Sequence, residues 1–123
     1  MRYLTDRKRA EGKGSAHRGT EAHWAQSVSA VALAFMVPTW IWIFGRALGS
    51  SRAAVVATFH DPFVAVLTAL VLVVGMRHFA RGSSMMIEDY THGTARKIAL
   101  LFVYFLAGVI AATGLYALIK MAL

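Results

Sequence analysis

Residues 63–93 read FVAVLTALVLVVGMRHFARGSSMMIEDYTHG, and the first half of this stretch decides the fold. Phe63 to Met76 carries no charge, and Arg77 and Arg81 then mark an exit where long stems can snorkel to the headgroups. A helix rises ~1.5 Å per residue, so about 20 residues cross a ~30 Å hydrocarbon core. The pattern predicts a transmembrane helix over about 63–81, with helical periodicity continuing toward Ile87. Pro62, just before it, suits the first turn of a helix, where its missing N–H costs nothing.

Two more runs of the same kind flank it. SVSAVALAFMVPTWIWIF, residues 27–44, is uncharged, and with Gln26 before it predicts a first span over about 26–44. Trp24 stands at its near end and Trp40 and Trp42 toward its far end, as interfacial aromatics do. Pro38 lies inside it, a position that kinks helices. A third span is expected over about 98–121, uncharged until Lys120. Between the first two lies AAVVATF, too short to span and expected as a short helix along the interface. The segment GSSMMIEDYTHGTARK is read as the connection to the third span. The fold class is therefore an all-α membrane protein with three transmembrane helices. A tail, residues 1–23, precedes an anchor domain, residues 24–123. Gly12, Gly14 and Gly19 are expected to break any long helix in the tail. Three helices make a thin bundle, and the small residues Gly108, Ala111, Ala112 and Gly114 give the third span a face for close contact, with another subunit or within the bundle.

Composition agrees. Of 123 residues, 58% are hydrophobic and 15% charged, against about half and a quarter in soluble domains. No cysteine is present, so the chain has no thiolate with which to hold an iron–sulfur cluster. The net charge of +7 is read as a record of orientation, not as a nucleic-acid footprint. Arg2, Arg7, Lys8, Arg9, Lys13 and Arg18 lie in the tail, and Arg77, Arg81, Arg96 and Lys97 flank the second connection. Only Arg46, Arg52 and Lys120 lie on the other side. The positive-inside rule then puts the N-terminus in the cytoplasm and the C-terminus outside. The apolar run behind the tail is a full span with no small-residue cleavage site, unlike a signal peptide.

His78 is the first residue with chemistry to offer. An imidazole in or at the end of a span is expensive without a partner, and its neutral form is a good iron ligand. The plain alternative is a histidine at headgroup level bonded to water or lipid. At ~100° per residue, Gly75 and Gly82 fall on the same helix face. They clear the space that a flat macrocycle would need, or serve helix packing. Asp89 follows His78 by eleven residues, close to three full turns, ~16 Å further toward the cytoplasm if the helix persists. Tyr90 follows at once. Its phenol can donate to a quinone carbonyl, and a carboxylate beside it can orient it or relay a proton. An ordinary helix end, with Gly93 as its stop signal, is the other reading of these residues.

The unit His78-x(10)-Asp89-Tyr90, with Gly82 four residues after the histidine and the string IEDYTHG over 87–93, resembles the second helix of the smaller hydrophobic membrane anchor of succinate dehydrogenase. His23-Trp24 and the run Gln26 to Leu33 resemble the segment entering that family's first helix. The resemblance implies a bacterial inner-membrane protein that docks a flavoprotein and an iron–sulfur subunit and pairs with a second anchor subunit, C. It implies that His78 is one axial ligand of the iron of a haem b shared with that partner. Tyr90 and Asp89 would bind ubiquinone, and Gly75, Gly82, Ser27 and Arg81 would line the haem pocket. The chain departs from the family at Ser27, where many members carry an arginine that helps hold the haem propionates. Ser27 has no charge to offer, and Arg81 or Arg77 near the same membrane face, or the partner chain, are the expected substitutes. A fumarate reductase anchor shares this architecture, and a cofactor-free scaffold or transporter subunit is the alternative from a different class.

Overall fold

A computed structural model describes residues 5–12 and 19–123. Expectations resting on Arg2, Lys13, Gly14 and Arg18 lie outside the described residues, as does the side chain of Lys8. A short helix α1 (Asp6–Ala10) is followed by α2 (Gly19–Ala47), α3 (Arg52–His60), α4 (Pro62–Tyr90) and α5 (Gly93–Ala122). Among the described residues there is no strand. The three long helices α2, α4 and α5 are each long and apolar enough to cross a membrane. At 29, 29 and 30 residues they extend ~44 Å, enough for the hydrocarbon and both headgroup layers. The chain is a multi-pass membrane protein.

The ends of these helices follow from local chemistry. Ser51 caps α3 by accepting a hydrogen bond from the Ala54 N–H at 3.3 Å. Asp61 caps α4 by accepting from the Val64 N–H at 3.1 Å, with Pro62 in the first turn as expected. The AAVVATF stretch is the helix α3. Gly12 follows α1 in a left-handed conformation, φ +64°, whereas Gly19 opens α2 instead of breaking a helix.

The second connection differs from expectation. Residues 81–90 do not form a loop. They continue α4 as one regular helix to Tyr90. No proline interrupts them, Gly82 is tolerated inside a helix, and the Ser84 hydroxyl donates to the Ala80 carbonyl at 2.7 Å. The chain turns at Thr91 and His92 alone. Thr91 donates from its hydroxyl to the Ile87 carbonyl at 2.6 Å, and Arg96 Nε donates to the Thr91 carbonyl at 2.9 Å. Gly93, read as a stop signal, instead starts α5 with φ +62°, a conformation that side chains with a Cβ resist.

The long helices form a row. α4 packs against both α2 and α5, while the backbones of α2 and α5 do not approach each other among the described residues. α3 touches all three, and the small buried cluster Phe59, Val64 and Leu118 sits at its end of the row. Most other large apolar side chains are exposed. Facing lipid, that exposure costs nothing, because acyl chains are as apolar as leucine. Close approach uses small residues. A Cβ on Gly114 would lie 2.9 Å from Leu72 Cδ1, so this glycine lets α5 close on α4. The rest of the small-residue face divides: Gly108 and Ala111 line an open groove, and Ala112 points outward. Trp42 is exposed with the Arg46 guanidinium 5.0 Å above its ring, as an interfacial aromatic would be. Trp40 packs differently. It turns into the row, stacks on Phe44 at 4.9 Å, and donates from its indole to the Thr68 hydroxyl at 3.1 Å.

Candidate functional site

The pairs Gln26–His78, Leu33–Gly75 and Trp40–Thr68 set α2 antiparallel to α4 in one register. That register brings the first span onto the His78 face. A Cβ on Gly75 would stand 3.9 Å from Leu33 Cδ2, and one on Gly82 would stand 3.3 Å from Gln26 Nε2. The face that these glycines clear is thus filled by α2 and not left open for a flat ring.

His78 is half-buried there, with both ring nitrogens engaged. Ser29 Oγ lies 2.8 Å from Nδ1 and also donates to the Gln26 carbonyl at 2.8 Å. Gln26 Nε2 lies 3.3 Å from His78 Nε2 and donates to the His78 carbonyl at 3.4 Å. Sequence reasoning misses Ser29 and Gln26 as partners of the histidine. They fall three residues apart on one face of the first span, but which face meets His78 depends on the helix register. Ser27, the serine that the sequence points to, is half-buried on α2, and it is Ser29 and Gln26 that hydrogen-bond His78.

Because α2 and α5 stand apart, the flank of α4 between them is open. Arg77 and Arg81 run along this flank. On one side they meet Trp24, Val28, Ser29 and Ala32 of α2 around a cavity of about 430 Å³. On the other they meet Tyr104, Gly108 and Ala111 of α5 around a cavity of about 420 Å³. Arg81 is half-buried, and its Nη1 is shut off from solvent without a hydrogen-bond partner. An orphaned buried guanidinium nitrogen is costly, and carboxylate or phosphate oxygens are its natural complement. No group of three or more His, Cys, Asp or Glu converges among the described residues, so His78 does not belong to a self-contained metal centre.

Asp89 and Tyr90 close α4 and are exposed, Tyr90 at 82%. The helix is continuous from His78, so Asp89 lies three turns beyond it, ~16 Å along the axis and on nearly the same face. The polar end of α4 presents its phenol to solvent.

A three-helix membrane protein with a histidine in its α2–α4 seam and two arginines on the open flank beside it is the class that this geometry defines. Over residues 1–116 the chain matches the family described as succinate dehydrogenase/fumarate reductase transmembrane subunit. It is 47% identical over 123 residues to the succinate dehydrogenase hydrophobic membrane anchor subunit of Paracoccus denitrificans, covering all of this chain and 95% of that protein. No solved structure matches it. The chain belongs to the family of succinate dehydrogenase/fumarate reductase transmembrane subunits and is a membrane anchor of the succinate dehydrogenase type.

Proposed function

We propose that this anchor holds one side of a haem b through His78 and presents Tyr90 and Asp89 to ubiquinone at the cytoplasmic face of a bacterial inner membrane. In this reading the chain docks the iron–sulfur and flavoprotein subunits of its complex, and a second anchor subunit lies against the open flank of α4. The basic tail, residues 1–23, stays in the cytoplasm and the C-terminus faces the periplasm. Succinate chemistry lies in other subunits. This chain positions groups.

The observation that carries the reading is the orphaned Arg81 Nη1, buried in the groove beside the His78–Ser29 contact. Haem b would supply a one-electron carrier with two carboxylates, and the residues fit those carboxylates. Arg81 and Arg77 offer guanidinium groups to anionic oxygens where Ser27 offers only a hydroxyl. Gly75 and Gly82 serve the site by letting α2 approach until Ser29 and Gln26 reach the imidazole. His78 would meet iron through Nε2 with the Gln26 side chain displaced, since that amide lies 3.3 Å from the nitrogen.

At the far end of α4, Tyr90 would donate its phenolic hydrogen to a quinone carbonyl. Asp89 beside it would orient the phenol or pass on a proton. Full reduction of a quinone needs two protons, and both side chains are exposed where water can deliver them. The test has two arms in the purified complex. His78→Ala should abolish or alter the reduced-haem absorption, and a colourless wild-type complex would instead favour a cofactor-free anchor. Tyr90→Phe should slow ubiquinone reduction while succinate oxidation by an artificial acceptor is unchanged. Equal loss of both activities would remove Tyr90 from the quinone site.

A further inference from the structure

We infer that Ser29 is a positioning residue for His78: its hydroxyl fixes the imidazole in the Nδ1–H tautomer and so leaves Nε2 as the metal-facing atom. The tautomer itself follows from this chain's hydrogen bonds, whereas its use toward iron rests on the haem reading above.

The assignment is a matter of counting protons. A serine hydroxyl has one hydrogen, and the 2.8 Å contact of Ser29 Oγ with the Gln26 carbonyl uses it, since a carbonyl can only accept. Ser29 Oγ then has only lone pairs for His78 Nδ1, also at 2.8 Å, so Nδ1 carries the hydrogen and donates it. At the other nitrogen, an amide N–H₂ has no lone pair to offer. Gln26 Nε2 must donate to His78 Nε2, which is therefore unprotonated. The second contact of the same atom goes with this amide orientation. Gln26 Nε2 also lies 3.4 Å from the His78 carbonyl, where an amide oxygen would face another oxygen. The orientation that satisfies both contacts leaves Gln26 Oε1 buried without a partner. The Ser29 contact gives the tautomer, and the Gln26 contacts agree with it.

The two contacts differ in strength. The Ser29 contact is short and buttressed by the backbone of its own helix. The Gln26 contacts, at 3.3 and 3.4 Å, are long, and the amide that makes them has an unsatisfied oxygen. Gln26 is the part that yields to a ligand and Ser29 the part that stays. A histidine that ligates a metal through one nitrogen commonly donates the other N–H to an acceptor, which fixes the ring and raises its basicity. Ser29 supplies that acceptor from the first span.

The first experiment does not depend on haem. The full chain, ¹⁵N-labelled at histidine and reconstituted in phospholipid vesicles, is studied by solid-state NMR, with the His78 signals assigned by their loss in His78→Ala. The expected wild-type ring has a protonated Nδ1 and an unprotonated Nε2. Ser29→Ala should shift it toward the Nε2–H tautomer, and Ser29→Thr, which keeps the hydroxyl, should restore it. A wild-type His78 protonated at Nε2 would overturn the inference whatever the haem does. The second experiment uses the assembled complex. Ser29→Ala should retain haem but move its midpoint potential to a more positive value and change its low-spin electron paramagnetic resonance g values, because a less basic ligand stabilises ferric iron less. Ser29→Thr should return both. An unchanged potential and spectrum in Ser29→Ala would refute the role of Ser29 toward iron. Unaltered haem in His78→Ala would refute the haem reading and leave the tautomer result standing.

Discussion

Thr68→Val isolates the one side-chain hydrogen bond that ties the far half of α2 to α4 among the described residues. Valine has the shape of threonine, so the packing of α4 is kept, but the Trp40 indole N–H loses the acceptor that it reaches at 3.1 Å. Thr68 is 8% exposed, so no solvent replaces the hydroxyl. The hydroxyl's own bond to the Val64 carbonyl also goes, but such a bond back along a helix contributes little. Hydrogen bonds between helices in a bilayer average ~0.6 kcal/mol and reach ~1.7 kcal/mol. Stranding a buried donor in an aqueous fold costs ~1–3 kcal/mol. The membrane figure governs here, because a dissociated helix in lipid also finds partners. With the Trp40 ring held on Phe44, a value near ~1 kcal/mol is expected, about fivefold in the unfolding equilibrium. The assay is titration of the full chain from mixed micelles with sodium dodecyl sulfate, followed by circular dichroism. Trp40→Phe removes the donor and keeps a ring to stack. The double mutant should then be less destabilised than the two single changes added, by ~0.5 kcal/mol or more. Strict additivity would show that the 3.1 Å contact contributes nothing and that packing alone holds α2 on α4.

Gly114→Val should weaken the α4–α5 seam by ~1–3 kcal/mol, because even a Cβ there falls 2.9 Å from Leu72 Cδ1; Leu72→Ala in the same chain should recover part of the loss in the same titration. Arg81→Met should leave the isolated chain as stable or more stable, since it removes a buried donor with no partner, while the haem-to-protein ratio of the purified complex falls. A fall in both stability and haem would make Arg81 a packing residue. Arg96→Ala removes the 2.9 Å tie to the Thr91 carbonyl and should raise amide hydrogen exchange at the 91–95 corner, leaving the α4 interior protected.

The spans were legible because a membrane helix announces itself by what it lacks. Residues 27–44, 63–76 and 98–119 carry no charge, and no other structure satisfies the backbone of so long an apolar run in lipid. The end of α4 was legible only in part. Periodicity pointed to helix as far as Ile87, but Gly82, Ser83 and Ser84 have the composition of a loop, and the Ser84 to Ala80 bond goes with a helix that runs on to Tyr90. Its consequence reached the site. His78 and Asp89 share a face only because those residues stay helical. The packing of Trp40 and of the two glycines was hidden for a single reason. Composition left open whether the glycines cleared a face or served helix packing, and only the register of α2 on α4 turned the tryptophan ring toward Thr68 and set Gln26 against Gly82. Ser29 could not be found without that register, for hydroxyls are common in membrane helices and nothing in the sequence names the one opposite His78.

Three struts in a row are not rigid unless something triangulates them. α3 braces one end of the row by touching α2, α4 and α5 together, and among the described residues nothing comparable joins α2 to α5 at the other end, where α4 carries His78, Arg81 and Tyr90. The anchor is built like a clothes-peg, pinned at its spring and free at its jaws. A helix laid into the jaw along Arg77 and Arg81 would touch both outer struts and complete the missing triangle. A neighbour seated there would also brace the helices on either side of the histidine.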